Sequence, residues 1–238
     1  MMDAGSLARA LASLPGGELR ARKGAAVLSE LEPQQAVSLL GALIRRADRR
    51  SDPESAALEG LLLAVRDLLP PERVQALFLA AEDDLEVQAL FGRGHARRSF
   101  DHDREEWIDR EMRARTLGER RALARTQDRD LLMRLATDPD PMVVKHILEN
   151  PRCTEREVLA AASRRPQRIE VLEEIFRSRR WSSNRRVRRA LALNPYTPPA
   201  LASAALALLT APDLREVAGD LTISADVRVQ ARRLLGGR

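Results

Sequence analysis

The chain has one cysteine in 238 residues, Cys153. One thiol excludes an intrachain disulfide and any cysteine cluster for zinc or iron–sulfur. Aromatics make up only 3% of the residues, and β-branched strand formers are also scarce. Alanine, leucine and arginine dominate instead, and they favour helix. Lysine is nearly absent, with only Lys23 and Lys145. The longest apolar run, Ala200 to Ala211, is interrupted by Ser203 and Thr210. It is too short to cross a bilayer. The opening MMDAGSLARALASLPGG has Asp3 early and Arg9 inside its apolar stretch, unlike a secretory leader. These absences predict a cytoplasmic, all-α protein with no membrane span.

What is present is an apolar fraction of 44%, a net charge of +5 and a pI near 10.4. That apolar content can bury one elongated domain or two small ones. Successive amphipathic helices are expected over about Pro33 to Ala47, Pro53 to Leu69, and from Pro71 through Val74, Leu77, Phe78 and Ala81. Each set fits a period of 3.6 and none fits a period of 2. Proline near each start costs nothing, because the first N–H groups of a helix have no partner anyway.

Gly92 to Asp103 breaks the pattern and reads as a loop or linker. Residues 104–127 alternate in charge and read as a solvated helix, or as a pair broken near Gly118. The division is therefore 1–91, a helical region; 92–103, a loop or linker; 104–127, a charged helical segment; and 128–238, a repeat region.

The repeat rests on two self-matches. Met142 to Leu159 aligns with Arg186 to Ser203, placing Asn150-Pro151 and Asn194-Pro195 44 residues apart. Val143 then matches Val187, Lys145 matches Arg189, and Ile147 matches Leu191. A helix should end before each Asn-Pro, since proline disfavours helix in the residue before it. Thr154 and Thr197 follow as capping residues. Asp130 to Val144 also echoes Asp213 to Val227, with Asp138 and Asp220 82 residues apart. Such spacing suits a two-helix unit, which stacks because it cannot bury its apolar face alone.

Val187 to Pro198, Val-Arg-Arg-Ala-Leu-Ala-Leu-Asn-Pro-Tyr-Thr-Pro, and its weaker copy around Asn150 resemble leucine-rich-repeat-variant and HEAT-like helical repeats. The resemblance covers about residues 128–238. It implies a right-handed α-solenoid of stacked helical pairs with an extended partner-binding surface, and it does not imply an enzymatic activity; residues 1–91 resemble HEAT repeats only in general character. Some variant-repeat proteins carry an N-terminal cysteine cluster, which this chain lacks.

The strongest local feature is the run from Arg177 to Arg189. Ten arginines and three glutamates lie between Arg164 and Arg189. The candidate surface comprises Arg177, Arg179, Arg180, Trp181, Arg185, Arg186, Arg188 and Arg189. On a helix from about Asn184 to Leu193, Val187, Ala190, Leu191 and Asn194 share the inner face, while Arg185, Arg188, Arg189 and Ala192 lie towards the other side. Such a patch can steer an acidic protein. It can also hold phosphates while Trp181 stacks a base. Alternatively the arginines only rim a repeat surface and Trp181 fills a gap; GC-rich bacterial coding also produces an arginine excess.

His95, Asp101, His102 and Asp103 share no recognised metal spacing and read as loop residues. His146 reads as packed or half-exposed. Glu105 and Glu106 are adjacent and so point apart on a helix. Cys153 reads as a plain thiol. No phosphate-binding loop, nucleophile elbow or His-Glu-x-x-His is present. The sequence thus predicts no catalytic, cofactor or metal residues. It favours a non-enzymatic scaffold docking an acidic protein through its basic C-terminal surface. Nucleic-acid binding is the alternative. A HEAT-like DNA glycosylase is a remote third, since it needs an acid in an aromatic cleft and only Trp107 and Trp181 are available.

Overall fold

The computed structural model describes residues 3–47, 52–91, 96–101 and 109–236. Among them are fifteen α-helices and no strand. None of these helices is long and apolar enough to cross a membrane. The chain forms two compact units, residues 1–95 with 199–238, and residues 96–198. The segment 128–238 is thus shared between the units, divided between Pro198 and Pro199.

The first unit contains α1 (Ala4–Ala12), α2 (Gly17–Glu30), α3 (Pro33–Ala47), α4 (Asp52–Asp67), α5 (Pro71–Ala80) and the short α6 (Leu85–Gln88). Its later helices are α13 (Pro199–Leu206), α14 (Ala211–Gly219) and α15 (Ala225–Gly236). Helices α3 to α5 begin where the apolar periodicity and the prolines place them. Helix α4 is the centre, packed against α1, α2 and α3. Leu58, Leu61 and Ala64 are fully buried there. Arg73 closes the end of α2 by donating through Nε to the Leu28 carbonyl at 2.9 Å. It also donates to the Leu31 carbonyl.

Glycine sets the approach of α2 to α4. A Cβ on Gly60 would lie 2.5 Å from the Arg20 Cβ and 3.1 Å from its backbone carbon. Because backbone lies in the way, the helices must separate to admit any side chain. Gly60→Val is expected to cost about 1–3 kcal/mol through overpacking. A urea-melt midpoint equal to that of the parent would contradict this.

The second unit contains α7 (Leu117–Leu123), α8 (Arg129–Leu135), α9 (Pro141–Glu149), α10 (Glu155–Ser163), α11 (Ile169–Arg177) and α12 (Arg185–Ala192). Each is cut short by the next cap. Thr116, Asp128, Asp140, Thr154, Arg168 and Asn184 precede the six helices. Thr116 and Thr154 form capping boxes with Glu119 and Glu157, satisfying N–H groups that lack helical partners. Residues 104–108 of the charged segment lie outside the described residues. The break near Gly118 falls at Thr116, with Gly118 inside the first turn of α7.

Helices α7, α9 and α11 pack in one layer, and α8, α10 and α12 in the other. The expected helical pair per period is therefore corrected. The 44-residue spacing from Asp140 to Asn184 contains three helices, α9, α10 and α11. Caps recurring every 12–16 residues divide the stretch more finely than a two-helix repeat would.

An odd number of helices per period puts matching residues in opposite layers, yet the two Asn-Pro corners make the same bonds. Asn150 Nδ2 donates to the Ala124 and Thr126 carbonyls at 3.0 and 2.8 Å. Asn194 Nδ2 donates to those of Ala162 and Arg164 at 2.8 and 3.0 Å. The Asn150 Oδ1 accepts from the Arg152 N–H, and the Asn194 Oδ1 from that of Tyr196. Each amide thus satisfies carbonyls at the end of the helix two before its own, which have no helical donor.

Candidate binding groove

Short helices expose many end carbonyls, and arginine carries five donors in a fixed fork. In the arginine-rich run Arg180 is engaged this way. After α11 the chain loops through residues 178–184 over the end of α9. There Arg180 donates to the Asn150 and Cys153 carbonyls at 3.0 and 2.8 Å. It also stacks on the Trp181 ring at 4.6 Å. Trp181 is 7% exposed, and its Nε1–H donates to the Leu148 carbonyl at 3.2 Å. Trp181 is thus a packing residue at the end of α9, one of the roles left open by the sequence.

The expected exposure of Arg188 is corrected. Arg188 is buried, and its Nε donates to the Ser182 carbonyl at 2.6 Å. Ala192 is fully buried as well, while Ala190 is only half-buried. The inward stripe of α12 is Val187, Arg188, Leu191 and Ala192, one residue around from the expected face. The long arginine stem packs among apolar groups while its head reaches a carbonyl.

The remaining arginines divide by position. Arg179 and Arg185 are exposed. Arg177 is half-exposed and pairs with Glu173 and Glu174 on its own helix, at 3.6 and 3.4 Å. Arg186 and Arg189 face a groove between α10 and α12 of about 380 Å³. Its apolar lining, or floor, is Leu159, Ala190 and Leu193, and Ser163 and Arg165 join the two arginines as its polar lining, or wall. Arg165 lies outside the 177–189 run and was not singled out by the sequence. The packing of α10 on α12 brings it beside Arg186 and Arg189. Its guanidinium also donates to the Leu193 carbonyl at 2.5 Å.

One carboxylate already serves this rim. Glu155, at the start of α10, accepts from Arg186 Nη1 at 2.8 Å and from Asn184 Nδ2 at 3.0 Å. Those two bonds hold its carboxyl below the usual value. The groove can therefore take anionic groups on its rim and an apolar group on its floor.

The other candidates fall elsewhere. His95, His102, Asp103, Glu105, Glu106 and Trp107 lie outside the described residues, and Asp101 is exposed. Among the described residues no group of three or more His, Cys, Asp or Glu is placed to hold a metal ion. His146 Nε2 lies 2.8 Å from Arg125 Nη2 and must accept, because guanidinium only donates. Burial, then Arg125, lowers its pKa, with Glu149 opposing.

Cys153 is buried and donates to the Thr154 carbonyl at 3.6 Å. Burial, then Glu157, pushes its thiol up to about 12. Only thiolate reacts readily. At pH 8 the native chain is expected to resist a disulfide reagent that modifies the urea-unfolded chain promptly. Equal rates in the two states would contradict that.

In comparison with known proteins, no family model matches the chain, no curated protein matches it and no solved structure matches it.

Proposed function

We propose that the chain is a non-enzymatic, cytoplasmic helical-repeat scaffold that docks an acidic protein through the groove between α10 and α12. The carrying observation is that groove, where Arg165, Arg186 and Arg189 border an apolar floor of Leu159, Ala190 and Leu193. Charge on the rim steers an acidic partner, and the floor gives it apolar surface to bury.

The scaffold is read as a right-handed α-solenoid resembling leucine-rich-repeat-variant and HEAT-like proteins. Two features support this: the packing of each helix of the second unit from α9 on against the helix two before it, and the matched hydrogen bonds of Asn150 and Asn194. Nucleic-acid binding through Arg177 to Arg189 has less support, because Trp181, its base-stacking ring, is buried against the Leu148 carbonyl.

The test is affinity isolation from the native host with three baits: the parent, Arg165→Glu with Arg189→Glu, and Arg22→Glu. Arg22 pairs with Glu18 on the exposed face of α2 and serves as the control. The reading expects a protein recovered with the parent and the control but lost with the double reversal. A partner set unchanged by the double reversal would refute it. Tight, steeply salt-dependent binding of labelled duplex or single-stranded nucleic acid would replace it with the alternative.

A further inference from the structure

We infer that the groove between α10 and α12 recognises a linear protein segment in which one leucine-sized apolar residue is flanked by carboxylates. The inference rests on the docking reading above and narrows it to a ligand. Three features of the groove support it.

The first is size. At about 380 Å³ the groove falls near the low end of the roughly 300–1,000 Å³ of small-ligand sites. That is room for an inserted side chain, which a short segment can present.

The second is the division of polarity. Leu159, Ala190 and Leu193 are half-buried and carry no polar side-chain atom, whereas Arg165, Arg186 and Arg189 stand on the wall. Ala190 is the small member of that floor, and its short side chain leaves room for an entering one. A phosphate or a purely acidic chain would engage the wall and leave the floor wet. An entering leucine removes that apolar surface from water, worth about tenfold or more in affinity.

The third is Glu155. Its carboxylate on Arg186 is an internal example of the anion these guanidinium groups take. Arginine matches carboxylate geometry through paired N–H donors. Glu155 therefore competes with an incoming carboxylate for Arg186, and removing its charge favours the ligand.

The test is fluorescence anisotropy on the full chain at low and physiological salt. One labelled peptide is Asp-Asp-Leu-Asp-Asp; a second carries Ser for Leu. Inorganic phosphate and a single-stranded oligonucleotide serve as competitors. The Leu peptide is expected to bind about tenfold more tightly than the Ser peptide. Ala190→Asp, which fills and charges the floor, and Arg189→Glu are each expected to weaken the Leu peptide by about tenfold or more. Circular dichroism checks that both variants fold. Glu155→Gln is expected to strengthen the Leu peptide a few-fold, a gain that unfolding cannot imitate.

Equal affinity for the Leu and Ser peptides would overturn the inference while leaving acidic docking intact. Binding of neither peptide, with a host protein still recovered in an Arg165- and Arg189-dependent way, would do the same. Binding of neither peptide and no such host protein would remove both. An oligonucleotide that displaces the Leu peptide at stoichiometric concentration would remove both in favour of nucleic acid.

Discussion

Arg120→Ala is expected to destabilise the protein by about 3–5 kcal/mol, the range for breaking a buried ion pair from one side. Arg120 Nε donates to Asp138 Oδ2 at 2.8 Å, with side-chain exposures of 11% and 1%. The other Asp138 oxygen accepts from the Asp140 N–H at 2.9 Å. Even so, burial outweighs these favourable bonds and the carboxyl lies above its ordinary value. Without Arg120 it remains buried with less compensation.

The sign of the pH dependence follows. A carboxyl raised in the folded state takes up its proton more readily there than in the unfolded chain. Its stabilising contribution is full below the ordinary value of 3.8 and is lost as pH rises through the folded one. The deficit of Arg120→Ala should therefore be largest near neutrality and shrink towards acid. Replacing both residues by leucine should cost less than Arg120→Ala alone, since no lone charge is left inside. Urea unfolding at pH 7 and at pH 4 measures all three. An Arg120→Ala deficit below about 1 kcal/mol, the range of exposed pairs, would contradict the isolation of this pair from water.

Trp181→Ala is expected to cost a similar amount, about 3–5 kcal/mol, as a large buried side chain lost from a packed site. It also removes the donor to the Leu148 carbonyl and the ring beneath the Arg180 guanidinium. Trp181→Phe keeps much of the packing but not the N–H, and should fall between the parent and alanine. Thermal and urea melts measure both. A surface ring held ready for a nucleobase would behave differently, since its removal would leave unfolding unchanged. That outcome would return Trp181 to the nucleic-acid reading.

The legible features were local. Helix α3, Pro33–Ala47, follows from apolar residues at one period and a proline at the first position. The correspondence of Asn150 with Asn194 follows from identical Asn-Pro pairs in similar frames. The number of helices between them was hidden, because spacing counts residues and not elements. The groove was legible in half: Arg186 and Arg189 belong to the conspicuous run, but Arg165, Leu159 and Ser163 join it only where α10 lies against α12. The buried Arg188 was hidden for a related reason. Helical periodicity placed it on the outer side, but α12 packs on a stripe that includes it.

Composition and periodicity alone determined the helical class and the positions of several helices. They also determined the concentration of arginine in the C-terminal third, because propensity, capping and charge act within a few residues of the chain. Tertiary structure decided which arginines close helix ends and which face a groove, that Trp181 turns inward, and that residues 199–238 join the first unit. Those outcomes depend on which surfaces meet across long sequence separations. A guanidinium serves a carbonyl or a ligand according to what packing brings within reach.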